Sequence, residues 1–133
     1  MKFLILACFT LLINEAAFSQ TIDIKSSGCM SGDCLNGPGK YIYSNGDKFN
    51  GYWKNGIRNE YGRYDWNSGC WYLGDFRNDS ITGNGAFHPV KGDYIDGTWE
   101  NGKLISAKSG SESEVGMTLP PIMKKEESTQ PIK

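Results

Sequence analysis

The chain has 133 residues, a formal net charge of −1, and 22% charged residues of both signs interspersed. That length admits one domain. No run of Lys and Arg tracks a phosphate backbone, so nucleic acid is not an expected partner.

The first residues stand apart. Met1-Lys2 gives a short positive start, and Phe3 to Ile13 is an apolar run interrupted only by Thr10. Ala17 and Ser19 are small residues at the two positions a signal peptidase reads. Residues 1–19 therefore read as a secretory leader. The run is shorter than the ~20 apolar residues a spanning helix needs. A lipoprotein reading at Leu6-Ala7-Cys8 leaves too little apolar chain before the cysteine. The expectation is an exported protein, periplasmic or secreted.

Removal of the leader leaves Cys29, Cys34 and Cys70. In an oxidising compartment Cys29 and Cys34 are close enough in sequence to bridge, with Cys70 the odd one out. The alternative is three unpaired thiols. Three cysteines and the single His88 do not make a structural zinc site, which wants four ligands.

A 23-residue period follows. Gly28, Gly51, Gly74 and Gly97 keep that spacing, as do Gly39, Gly62 and Gly85, and Gly46, Gly69 and Gly92. Large side chains keep step: Phe49, Tyr72 and Ile95; Trp53, Phe76 and Trp99; Tyr41, Tyr64 and Phe87. Beyond position 20, every aromatic residue lies between Tyr41 and Trp99. A fixed period this short predicts stacked supersecondary units, and such arrays hold or bind more often than they catalyse.

Within each unit the pattern has period two, which predicts strands near 39–44, 48–54, 62–66, 70–77, 85–89 and 93–100. Asn45-Gly46, Ser68-Gly69 and Lys91-Gly92 supply hairpin turns, Asn-Gly suiting a type I′ turn. A second set links one hairpin to the next: Asn55-Gly56, Asn78-Asp79 and Asn101-Gly102. The expected fold is all-β. It is a single-layer, elongated antiparallel meander of about six strands, built from three 23-residue hairpin repeats. No helical layer covers it, so apolar surface must be buried within the sheet. A ring from a partner strand lying over a Gly gap, as Tyr64 and Trp66 over Gly74, would do this.

Residues 20–36 read as an N-terminal linker and cap, and 37–105 as the repeat array. Gly28 to Gly39 matches the second half of a unit, so the cap is degenerate. A Cys29–Cys34 bridge would staple a cap too small to hold itself together. From Ser106 to Lys133 there is no aromatic residue. Residues 106–133 therefore read as a disordered tail. Within it, Leu119-Pro120-Pro121-Ile122-Met123 is a candidate short docking peptide.

Three segments resemble one family. Phe49-Asn50-Gly51-Tyr52-Trp53-Lys54-Asn55-Gly56 leads to Tyr61-Gly62; Tyr72-Leu73-Gly74-Asp75-Phe76-Arg77-Asn78 leads to Gly83-Asn84-Gly85; Ile95-Asp96-Gly97-Thr98-Trp99-Glu100-Asn101-Gly102 ends the array. These are similar to MORN repeats (membrane occupation and recognition nexus), and the Gly28 to Gly37 stretch looks like that of small exported bacterial members. The resemblance implies single-layer hairpin sheets that often pair into larger assemblies. It also implies scaffolding, partner binding or, in some members, lipid binding. The chain departs from the pattern at Ile95, which replaces an aromatic, at Asp79, where neighbouring units have Gly, and at Glu60, where a Gly would match Gly37 and Gly83.

No chemical site stands out. His88 has no partner motif and reads as a strand residue. The Asp residues sit in or beside turns, where backbone hydrogen bonds favour them. A single-layer sheet offers little shielding for paired carboxylates. The expectation is no enzyme, no cofactor and no metal. The candidate binding surface is the aromatic ladder Tyr41, Phe49, Trp53, Tyr64, Tyr72, Phe76, Phe87 and Trp99. A protein partner is expected first. Two other classes stay open: a membrane surface, supported by Lys40, Lys54, Arg58, Arg63 and Arg77, and glycan binding on exposed rings. Self-association through open sheet edges is a further expectation.

Overall fold

The structure, a computed structural model, describes residues 27–108 and 112–125. The expected leader and residues 20–26 of the expected linker lie outside the described residues, as does 126–133 of the tail.

The described residues form one antiparallel meander of eight strands, not six. In chain order they are β1 (Gly28–Gly32), β2 (Gly37–Ile42), β3 (Lys48–Lys54), β4 (Ile57–Asp65), β5 (Trp71–Arg77), β6 (Ser80–His88), β7 (Ile95–Glu100) and β8 (Lys103–Ala107). Each strand pairs with its sequence neighbours. No helix among the described residues is long and apolar enough to cross a membrane.

The two strands beyond the expected six are β1 and β8, and β8 follows from where the tight turns sit. A type I′ turn needs positive φ at both central residues. Asn55 (51°) and Gly56 (76°) meet that demand, as do Asn78 (47°) with Asp79 (69°) and Asn101 (49°) with Gly102 (77°). These pairs, read from sequence as linkers, are the tight hairpins that join β3 to β4, β5 to β6 and β7 to β8. At Asn45-Gly46 only Gly46 has positive φ (88°). That loop is wider, closed by Tyr43 N–H to Asp47 O at 2.9 Å and Gly46 N–H to Tyr43 O at 3.0 Å. With the short turns reassigned, β4 and β6 extend back to Ile57 and Ser80, and β8 follows Gly102. At the other end, β1 pairs with β2 and brings the expected cap into the sheet.

The register explains the period. Gly39, Gly51, Gly62, Gly74, Gly85 and Gly97 pair in turn, giving one row of glycines across six adjacent strands. These glycines are needed for space. A Cβ on Gly51 would meet Phe49 Cζ at 2.7 Å, and one on Gly62 would fall on the same ring. A Cβ on Gly74 would meet Tyr72 Oη at 2.5 Å. The covering rings are Phe49 and Tyr72, each lying over a glycine of its own strand (Gly51, Gly74) and, as expected in kind, over one of a partner strand (Gly62, Gly85). The expected partner-strand rings Tyr64 and Trp66 do not do this. Beside the glycine row runs a second row, Tyr41, Phe49, Tyr64, Tyr72, Phe87 and Ile95. Ile95, the departure from the aromatic pattern, closes it.

The expected disordered tail begins at Ser106, but β8 runs to Ala107, and after it the described chain has one 3-10 turn (Glu112–Glu114), no further strand, and contacts with the sheet. Gly116 N–H donates to Leu104 O at 2.8 Å and Leu104 N–H to Met117 O at 2.9 Å. From there residues 117–125 turn onto the aromatic side of the sheet, where Leu119 is buried and Met117, Ile122 and Met123 pack against the core.

Candidate binding face

The eight ladder residues belong to one packed layer. Phe49, Trp53, Tyr64, Tyr72, Phe76, Phe87 and Trp99 are buried, and Tyr41 packs half-buried against them. Sequence reasoning offered them as a contact surface; in the structure they are first of all the core of a one-layer sheet. Phe49 meets Phe76 at 4.9 Å and Trp53 at 5.1 Å between centroids, edge to face. Tyr72 meets Phe76 at 5.6 Å and Trp99 at 5.9 Å in the same way. Such pairs contribute about 0.5–1.5 kcal/mol each beyond burial. Two indoles are also fixed to the glycine row: Trp53 Nε1–H donates to Gly39 O (3.0 Å) and Trp99 Nε1–H to Gly85 O (2.9 Å). Phe76, the equivalent residue between them, has no N–H to offer.

Four residues of this face lie outside the expected ladder: Tyr43, Trp66, Asp47 and Arg58. Tyr43 and Trp66 are one period apart and extend the aromatic layer past the strand ends, each about 5–6 Å from Tyr64. Asp47 was read as a turn residue. Its buried carboxylate accepts Tyr64 Oη–H (2.5 Å) and Asn67 N–H (2.8 Å), tying two loops together. Burial, then the bond to Asp47, pushes the Tyr64 hydroxyl far above the ordinary phenol range.

Arg58 is fully buried at the register position of Leu35, Ile81 and Leu104. Its guanidinium lies 5.3–5.8 Å from the ring centres of Tyr43, Phe49 and Tyr64. Its charge partner is Asp79, with Arg58 Nε 2.6 Å from Asp79 Oδ1. The repeat itself carried the signal: a cation at an otherwise apolar position, with an acid replacing Gly one unit on.

Across this face lies the C-terminal segment. Leu119 N–H donates to Gly102 O (2.8 Å), Trp66 Nε1–H to Pro121 O (3.0 Å), and Met123 N–H to Tyr64 Oη (2.9 Å). Lys125 Nζ reaches Cys34 O and sits 4.4 Å from the Trp53 ring centre and 5.1 Å from that of Tyr41. Burial holds this lysine below the ordinary range. The segment thus runs from the last hairpin back to the first. Cys34, at that end, is joined to Cys29 by a disulfide, and Cys70 is a buried free thiol.

The opposite side carries a smaller, mostly half-buried column. Arg63, paired with Asp65 at 2.6 Å, lies 4.0 Å over Trp71; Trp71 stacks on His88 at 3.6 Å, and His88 on Tyr94 at 5.3 Å. Burial first, and the Arg63 charge second, hold the His88 imidazole below its ordinary range. His88 is the last residue of β6. Among the described residues no group of His, Cys, Asp or Glu is arranged to hold a metal ion.

A single sheet of equivalent hairpins, with its rings folded onto its own glycines, defines a repeat module of the holding and binding kind. The MORN repeat family model matches residues 27–48 and 49–71, and these two stretches are MORN repeats. Residues 72–102 continue the same register beyond the matched stretches. No curated protein matches the chain. MORN repeats are binding and scaffold modules.

Proposed function

We propose that this protein is an exported, non-catalytic scaffold that binds a protein partner through its aromatic face. The observation that carries this reading is how the face holds residues 117–125. Two ring-borne groups, Trp66 Nε1–H and Tyr64 Oη, engage main-chain atoms of that segment. Recognition of a main chain suits a polypeptide better than a lipid headgroup or a sugar. The ladder rings form the floor of the face, and Tyr43 and Trp66 extend it.

The charges favour protein over membrane. Of the basic residues near the ladder, Arg58 is fully buried and paired with Asp79, and Arg63 is taken up by Asp65 and Trp71. Lys40, Lys54 and Arg77 remain exposed, too few for strong attraction to anionic lipid. The Cys29–Cys34 bridge supports an oxidising compartment, in keeping with an apolar leader.

Two measurements test the reading. The chain is mixed with neutral and anionic vesicles at low and moderate salt and floated. It is also used to capture proteins from an envelope extract, beside a Trp66→Ala variant. We expect no flotation, and a protein retained by the wild type and lost by the variant. Salt-sensitive flotation with anionic vesicles would overturn the reading.

A further inference from the structure

Resting on that protein-binding reading, we infer that the aromatic face is a groove for an extended peptide of defined chemistry, and that residues 117–125 are its resident competitor. The peptide has an apolar residue, two prolines, two apolar residues and then lysine, as in Leu119-Pro120-Pro121-Ile122-Met123-Lys124-Lys125.

Each part of the segment meets a matching part of the seat. Leu119 is buried beside the β7–β8 turn, its N–H on Gly102 O. Pro120 and Pro121 bring no N–H that would need a partner over an apolar floor, and their fixed φ lowers the entropy lost on seating. The carbonyl between Pro121 and Ile122 accepts the Trp66 indole N–H. That pairing of an indole donor with a proline-rich main chain is a recurrent way of reading extended proline segments. Ile122 and Met123 pack on the aromatic layer while Met123 N–H reaches Tyr64 Oη. At the far end Tyr41, Trp53 and the Cys34 carbonyl make a seat for one ammonium group, filled by Lys125.

The occupant is built to be displaced. Within 117–125 only Leu119 is buried, and beyond the one ladder bridge of Lys103 with Thr118 the segment is held by isolated hydrogen bonds and not by a paired strand. The fit also leaves two buried polar atoms of the face, Tyr43 Oη and Arg58 Nη1, without a hydrogen-bond partner among the described residues. Tethered just beyond β8, the segment competes at an effective concentration of about a millimolar, so a partner must bind well to replace it.

The test uses the full chain and a fluorescent peptide copying residues 115–125. Leu119→Asp with Ile122→Asp loosens the resident segment without touching the sheet. This double variant should bind the peptide at least about tenfold more tightly than the wild type does. Trp66→Phe added to it should weaken binding severalfold, as should replacing both peptide prolines by alanine. Circular dichroism and elution volume establish that each variant keeps the fold. Equal binding by the wild type and the loosened variant would overturn the proposal, as would equal binding of the alanine peptide. Flotation of the loosened variant with vesicles would instead overturn the protein-binding reading itself. Peptide failure without flotation overturns the groove assignment alone.

Discussion

Arg58 and Asp79 lie 21 residues apart in sequence and 2.6 Å apart in space, and each breaks the repeat where it stands. Other units carry Leu35, Ile81 or Leu104 at the first position and Gly56 or Gly102 at the second. The two departures answer one another: the acid in the turn neutralises the cation in the core. The same turn keeps the hydrogen bond its neighbours make. Asp79 N–H donates to Arg58 O as Gly56 N–H does to Leu35 O and Gly102 N–H to Ile81 O, all at 2.9 Å.

Asp79→Gly restores the repeat residue and strands a buried guanidinium. It should cost about 3 kcal/mol, even though it relieves a left-handed φ. Arg58→Leu with Asp79→Gly restores both positions and should recover most of that loss, since well-packed apolar residues replace buried ion pairs at little cost. Urea unfolding of the two single variants and the double variant measures the cycle. Additive losses would mean the pair is not coupled.

Glu60 holds φ at 64° where Gly37 and Gly83 stand in the neighbouring units. A left-handed conformation costs a residue with a Cβ roughly 1–2 kcal/mol. Glu60→Gly should therefore stabilise the chain by about 1 kcal/mol, and Glu60→Ala should not. Thermal unfolding of the three proteins decides it. A gain from the alanine would shift the cause to the side chain.

Tyr43 is buried, and its hydroxyl has no hydrogen-bond partner among the described residues. Tyr43→Phe keeps the ring contacts with Tyr41 and Tyr64 and removes the orphan. It should leave stability unchanged or raise it by up to about 1 kcal/mol. A clear loss in urea would show that Oη has a partner in solution.

His88 is held neutral in the Trp71–His88–Tyr94 stack beneath Arg63. Its folded pKa lies below the unfolded value of about 6.5, so the unfolded chain takes up the proton first. The stability tied to this group is present above about pH 6.5 and is lost as pH falls through the window below it. The ring resonance should titrate below the ordinary imidazole range. The drop in urea midpoint from about pH 7 to about pH 5 should be smaller in His88→Asn. A titration at or above the ordinary range would contradict the stack.

Much of the fold was written in the period. The glycine row and the aromatic row are the two spacings of the sequence seen in register, and they fix which residues share a face. Turn assignment failed at Asn45-Gly46 because sequence cannot say whether Asn takes positive φ. The same uncertainty hid β8 and half of β4 and β6. Arg58 was misplaced because an arginine in an alternating strand looks exposed until it is aligned with Ile81 and Leu104. The tail was the least legible part. Its few apolar residues cannot form a core, yet Leu119, Ile122 and Met123 are enough to sit on one made by other residues. Local composition does not register that kind of long-range contact.

The central claim is that the aromatic face is a peptide seat closed by the chain's own residues 117–125. Amide hydrogen exchange with and without the peptide of residues 115–125 tests it most directly. The account predicts protection at Leu119 and Met123 in the free chain, lost as the added peptide saturates the face, with β3 to β6 protected throughout. Residues 117–125 exchanging at the free rate without peptide would contradict it, and so would protection that no concentration of peptide reduces.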